Sequence, residues 1–246
     1  MVTALTQGRQ GFVGDALPYS GLALAAPQQF APEAERPRAL ELVRSGGRNA
    51  LLHRAFDLVG ALVLLLVLAP VFAGLALAVA AGSRGGVLYR QTRVGQHGRL
   101  FTIYKFRTMV AEGHARRVAL HGLDEGNGVL FKIRRDPRVT PVGRVLRRLS
   151  LDELPQLLNV VRGEMSLVGP RPALPEEVAV YDVRERGRLL AKPGITGLWQ
   201  VSGRSDLGWE ESVGLDLHYV RHACLLLDLQ ILVRTVTAVT SGRGAY

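Results

Sequence analysis

The chain has 246 residues, enough for one or two domains with a buried core, and a formal net charge of +10. That excess of Lys and Arg predicts an anionic partner: nucleic acid, anionic lipid or a phosphorylated substrate. Aromatic residues make up only 6% and no long basic block or zinc-finger spacing occurs, so no nucleic acid is expected as partner. The single cysteine, Cys224, excludes an internal disulfide and a cysteine-rich metal site. It lies in apolar sequence and reads as a packed thiol, in keeping with a reducing compartment.

Residues 1–48 contain Pro18, Pro27, Pro32 and Pro37 and no sustained periodicity, and read as a largely disordered leader. From Leu58 to Ser83 no charged residue occurs. At about 1.5 Å per residue this segment is long enough to cross a hydrocarbon core of roughly 30 Å. Pro70 stands in its middle and leaves arms that reach only about 18 Å each. Basic residues flank both ends, Arg44, Arg48 and Arg54 before it and Arg84, Arg90, Arg93 and Arg99 after it. A spanning helix usually shows an imbalance of Lys and Arg between its two ends, whereas a helix that dips in and returns keeps both ends on the cytoplasmic side. The residues alone leave both readings open, a kinked single pass and a re-entrant helix.

Val87 to Gly95 and Leu100 to Phe106 read as two strands joined by the turn Gly95-Gln96-His97-Gly98, a small hairpin. Arg107 continues a basic cluster with Lys105. His97 and His114 lack metal-ligand partners at useful spacing and read as surface residues, and residues 110–128 are Gly-rich and irregular.

Pro141 to Leu149 forms a basic amphipathic segment running into Ser150-Leu151-Asp152-Glu153-Leu154-Pro155-Gln156. Ser150 and Glu153 have the spacing of a helix capping box, the bland explanation of two adjacent acids at a helix start. The alternative is chemical. Arg144, Arg147 and Arg148 precede the pair, and a nearby guanidinium lowers a carboxylate's pKa, leaving both acids ionised as nucleophile or metal ligand. Leu154, Leu157, Leu158 and Val161 then repeat at helical spacing, with Pro155 blurring the first residue. Pro170-Arg171-Pro172 fixes the backbone around one Arg, either a surface turn or a site that orients a phosphate. Trp199 suits stacking, a membrane interface or plain packing. In the final segment Leu225, Leu229, Leu232, Val236 and Val239 share a face, while Asp228 and Arg234 make it too polar to span; it lies in the interface or packs on the core.

Taken together, Gln91 to Gly95, Lys105 to Met109, Asp136-Pro137-Arg138, the Ser150–Gln156 stretch, Met165 to Pro172, Lys192 to Gln200 and the closing Gly244-Ala245-Tyr246 resemble the bacterial sugar transferases. These are the monotopic polyprenyl-phosphate phosphoglycosyl transferases. The likeness covers roughly residues 50 to 246. It implies a mostly helical α+β fold with a re-entrant membrane helix broken at Pro70, amphipathic interfacial helices and a small β-hairpin. Residues 49–84 would form the membrane helix and 85–246 the catalytic domain, on the cytoplasmic face of the cell inner membrane. It further implies transfer of a sugar 1-phosphate from a UDP-sugar, of glucose or galactose type, to a polyprenyl phosphate with release of UMP. Asp152 would be the nucleophile, Glu153 the ligand of Mg²⁺, and Lys105, Arg107, Arg147 and Arg171 the substrate-binding cations. Many members carry Ser-Pro at the helix break, where this chain has Ala69-Pro70. A non-catalytic, membrane-tethered basic scaffold for anionic lipid is the alternative, but it gives no reason for an Asp-Glu pair beside a rigid Pro-Arg-Pro.

Overall fold

A computed structural model describes residues 50–82, 85–110, 133 and 136–241. The leader, His114, most of the irregular stretch and the closing Gly244-Ala245-Tyr246 lie outside the described residues.

The apolar segment forms two helices, α1 (Ala50–Val67) and α2 (Ala69–Gly82), parted at Leu68. Pro70 lacks an N–H, so the carbonyl of Leu66 loses its helical donor, and the proline sits instead in the first turn of α2, where none is required. Flanking bonds persist: the Leu68 N–H donates to Leu64 at 2.9 Å and the Phe72 N–H to Leu68 at 2.8 Å.

The amphipathicity of α1 is inverted relative to a soluble helix. Its outer face exposes Leu51, Val59, Leu62, Val63, Leu66 and Val67, Leu66 to 78%. Its buried stripe is His53, Asp57 and Ala61, spaced four apart, and this side is polar. Arg54 donates to the carbonyls of Val160 and Val161 at 2.6 and 2.7 Å, the terminal carbonyls of a helix that favour a cation. Asp57 accepts from the Ser166 hydroxyl at 2.8 Å and the Leu167 N–H at 2.9 Å. His53 Nδ1 lies 3.1 Å from Asp228, which also accepts from Tyr219 at 2.8 Å. At Gly60 a Cβ would stand 2.7 Å from the Leu167 side chain, so glycine permits that approach. The far end of α2 packs on the same body, Val79 being buried with Phe106 and Leu146, and the Phe72 and Phe106 rings lie 5.7 Å apart.

The hairpin is β1 (Leu88–Val94) and β2 (Leu100–Phe106), antiparallel, with exposed His97 in the turn at φ 57°. Beyond its end, the Val94 N–H reaches the carbonyl of Ala173 at 2.9 Å, tying the hairpin to the Pro-Arg-Pro loop. The helix α3 (Pro141–Arg148) starts on Thr140, whose hydroxyl accepts from the Gly143 N–H at 2.9 Å. A 3₁₀ turn (Leu151–Gln156) leads into α4 (Leu157–Arg162), and β3 (Ser166–Val168) follows. After α5 (Pro175–Ala179), β4 (Gly194–Thr196) pairs with β3 in parallel. The chain ends its described course in α6 (Leu198–Ser202), α7 (Trp209–His222) and α8 (Leu225–Ser241). Ile103, Leu157, Val160, Met165, Val168, Tyr219 and Ile231 form the centre of the core. The fold is mostly helical with two small sheets, an α+β arrangement.

One expectation changes. Cys224 is exposed, because it falls in the two-residue link between α7 and α8 rather than inside a helix. Of the two readings left open for the last helix, each holds in part: Leu229 and Val236 point outward, while Leu232 packs on the core and Asp228 and Ile231 are buried.

Candidate active site

Asp152 and Glu153 lie in the first turn of the 3₁₀ segment, where successive side chains diverge by about 120°. The capping box does not form. Ser150 is left-handed (φ 52°, ψ 21°), whereas a capping residue needs an extended backbone to turn its hydroxyl onto the helix amides; its side chain makes no cap bond. The Glu153 carboxylate is turned outward to Lys105, whose Nζ is 2.6 Å away.

The two acids part in chemistry as well as direction. Burial raises the Asp152 pKa to about 6, against the opposing pull of the Lys105 and Arg147 cations. This overturns the expectation that neighbouring arginines lower it: losing water around the charge outweighs the attraction. For Glu153 burial also acts upward, but Lys105 through its charge and hydrogen bond, then Arg171 and Arg93, carry the net shift below the ordinary carboxylate range. Asp152 remains mostly ionised at neutral pH, and Glu153 more fully so.

Both acids line a cavity of about 1170 Å³ walled, among the described residues, by eight Lys/Arg and five Asp/Glu. Lys105, Arg147 and Arg171 all reach it. Arg147 comes from the last turn of α3, its Nε donating to the Thr108 hydroxyl at 2.9 Å. Arg171 is held in a doubly tethered loop: the Gly169 N–H donates to Thr196 and the Gly194 N–H to Pro170, both at 2.9 Å. Glu177 stands 3.7 Å from its guanidinium. Arg107 lines the rim, its guanidinium packed on the backbone at Gly85, where a Cβ would lie 2.0 Å from Nη1. Pro70 is not among the lining residues.

Magnesium in phosphate chemistry takes one or two carboxylates and completes its shell with water and substrate phosphates. Among the described residues no group of three or more His, Cys, Asp or Glu is arranged to hold a metal ion. Glu153 fits the sparser arrangement: its side chain is 29% exposed, and only Oε1 is engaged by Lys105.

The chain matches the model of the bacterial sugar transferase family over residues 48–242. The chain belongs to that family. It is an enzyme. Among its relatives, an exopolysaccharide production protein, ExoY, of Sinorhizobium fredii is 43% identical over 200 residues, 78% of this chain and 87% of the relative. An undecaprenyl-phosphate galactose phosphotransferase of Salmonella typhimurium is 43% identical over 199 residues, 79% of this chain but 42% of the relative. An undecaprenyl-phosphate glucose phosphotransferase of Komagataeibacter xylinus is 42% identical over 204 residues, 78% and 36% respectively. This sugar transferase thus spans most of ExoY and less than half of the two longer proteins.

Sequence reasoning missed further cavity cations of the sugar transferase. Arg93, on β1, is buried, donating to the carbonyl of Pro172 at 3.0 Å and to Gln91 Oε1 at 2.8 Å. Burial, then the adjacent Arg171, lowers its pKa to about 10. Arg138 forms a buried pair with Asp136 at 2.6 Å. Both lie within stretches that carried the resemblance, which was the available signal. Arg204 lies outside them. Trp199 is buried, as packing predicted, and also contributes to the cavity wall.

Proposed function

We propose that this sugar transferase moves a sugar 1-phosphate from a UDP-sugar, of glucose or galactose type, to a polyprenyl phosphate such as undecaprenyl phosphate. The observation that carries the reading is the divergent Asp152–Glu153 pair on a cation-rich cavity, Glu153 held by Lys105. The names of the relatives from Salmonella typhimurium and Komagataeibacter xylinus support the acceptor class and the two sugars.

In the first step a carboxylate oxygen of Asp152 attacks the sugar-bearing phosphorus. A P–O bond to Asp152 forms, the P–O bond to UMP breaks, and UMP leaves with the electron pair. In the second step an oxygen of the polyprenyl phosphate attacks the same phosphorus, giving polyprenyl diphosphate sugar and restoring the carboxylate. An ionised carboxylate needs no general base, so the protein's task is alignment and charge neutralisation. Lys105, Arg147, Arg171 and Arg93 supply positive charge to the diphosphate and the leaving UMP. Glu153 is the residue that would hold Mg²⁺, which supplies further charge neutralisation on the diphosphate when bound. The purified enzyme with Mg²⁺, polyprenyl phosphate and a panel of UDP-sugars should release UMP with one sugar strongly preferred. Release of UDP instead would contradict phosphosugar transfer.

The apolar pair α1–α2 is proposed as a re-entrant membrane helix that keeps the cavity at the cytoplasmic face of the inner membrane. In support, the exposed surface of α1 is apolar, and both the start of α1 and the end of α2 pack on the same catalytic body. Exposed Cys224 must first be replaced by Ser. In that background, Ala50→Cys and Arg99→Cys should both react with a membrane-impermeant thiol reagent only from the cytoplasmic side. Labelling from opposite sides would establish a spanning helix.

A further inference from the structure

The acceptor differs from the donor in one chemical respect: it joins a phosphate to a hydrocarbon chain, whereas a UDP-sugar is polar throughout. The cavity lining holds groups of both kinds, charged ones such as Asp136, Arg138 and Arg147 and apolar ones. The lining from β4, α6, α8 and the turn after α6 includes the apolar Ile195, Trp199 and Val239, the polar Thr196, Gln200 and Thr235, and one cation, Arg204.

This part of the lining reaches the outward apolar surface through α8. The helix exposes Leu226, Leu229, Val233 and Val236 on one face, while Ile231 on the opposite face is buried. Thr235 and Val239 of the same helix line the cavity. The Thr235 and Thr196 hydroxyls lie 2.8 Å apart, fixing α8 to the end of β4, and α6 packs between them and Arg204. The helix α8 thus carries both exposed apolar side chains and residues of the cavity that Arg204 also lines.

Arg204 is placed to serve a ligand. Its Nε donates to the Gln200 carbonyl at 3.3 Å, which orients the guanidinium. Lys105, Arg138 and Arg171 each have a carboxylate within ion-pair distance, whereas Arg204, like Arg90, Arg93 and Arg147, has none among the described residues. Its backbone is held at φ 54°, a left-handed conformation that costs a non-glycine residue energy and that functional sites retain. Arg204 lines the same cavity as the Asp-Glu pair, and the Glu153 charge acts on it.

We propose that Arg204 and the Ile195–Trp199–Val239 lining form the docking site for the acceptor's phosphate and its first isoprenoid units. The proposal rests on the phosphosugar-transfer reading, and the experiment separates the two. UMP formed in a rapid burst without acceptor reports the first step; the KM for a short-chain polyprenyl phosphate in detergent micelles reports acceptor binding. Arg204→Ala should raise that KM about tenfold, the scale of one charge-assisted phosphate contact, and reduce the burst less than threefold. Arg204→Lys, which keeps the charge but not the fork, should recover part of the loss and guards against a folding defect in the alanine variant. A burst lost in parallel with turnover would reassign Arg204 to the donor, and an unchanged acceptor KM in folded protein would overturn the proposal. Should the native enzyme give no burst at all, the two-step reading fails, and the acceptor KM alone decides the role of Arg204.

Discussion

Replacing Asp152 by Asn should reduce UMP release by about 10⁴-fold, the scale on which loss of a covalent nucleophile acts, while leaving the protein folded. The carboxamide has nearly the shape of the carboxylate, so the 3₁₀ turn and cavity persist, but it offers no anionic oxygen to phosphorus. The electrostatics sharpen the expectation. The folded pKa of Asp152 lies above its ordinary 3.8, at about 6, because burial disfavours the charge. The folded state therefore binds this proton more tightly than the unfolded chain, and the group's contribution to stability is greatest below about pH 4 and is lost as pH rises through 6. At neutral pH Asp152→Asn should thus melt no lower than the native enzyme, and any difference should be an increase. Inactive protein with an undiminished melting temperature is the signature of a functional charge. Inactive protein that melts much lower would point to a structural one.

Lys105→Met should lower turnover by about a hundredfold and, at the same time, shift the Mg²⁺ titration to lower concentration. The first effect follows from removing one of the cations that neutralise the diphosphate. The second follows from Coulomb's law at Glu153: the Lys105 ammonium sits 2.6 Å from Oε1 and opposes the approach of another cation. Removing it strengthens the carboxylate's hold on a metal ion. A binding readout that does not depend on turnover, such as Mn²⁺ paramagnetic relaxation of water, should show the same tightening. Weaker binding in the variant would mean that Lys105 supports the metal site rather than competing with it.

What the sequence disclosed was chiefly local. The hairpin was legible from two short strand-like runs and the Gly-containing turn between them, and the Asp-Glu pair and Pro-Arg-Pro loop from residue type alone. Two features depend on distant partners and left little local trace. Arg93 stands on a short strand where an exposed position is the default, and its burial follows from the carbonyl of Pro172, 79 residues away. The strands β3 and β4, three residues each, are too short to show a period and are defined only by pairing with each other. The apolar run from Leu58 was evident, but the inversion of α1 was not: Arg54 and Asp57 look like flanking charges until they meet the α4 carbonyls and the β3 backbone. The Ser150–Glu153 spacing misled because a capping box is a statement about backbone dihedrals as well as residue types, and φ at Ser150 is positive. The shift at Asp152 was misjudged for a related reason, since neighbouring charges can be counted in a sequence and lost water cannot.

The covalent step at Asp152 is tested by intact-mass and peptide-level mass spectrometry of the enzyme mixed with its preferred UDP-sugar and no acceptor, quenched within one turnover. A covalent step should give a phosphosugar adduct on the peptide containing Asp152, formed with one equivalent of UMP, discharged by adding polyprenyl phosphate and absent in Asp152→Asn. UMP release only when acceptor is present, with no adduct at any time, would contradict it and establish direct transfer between the two substrates.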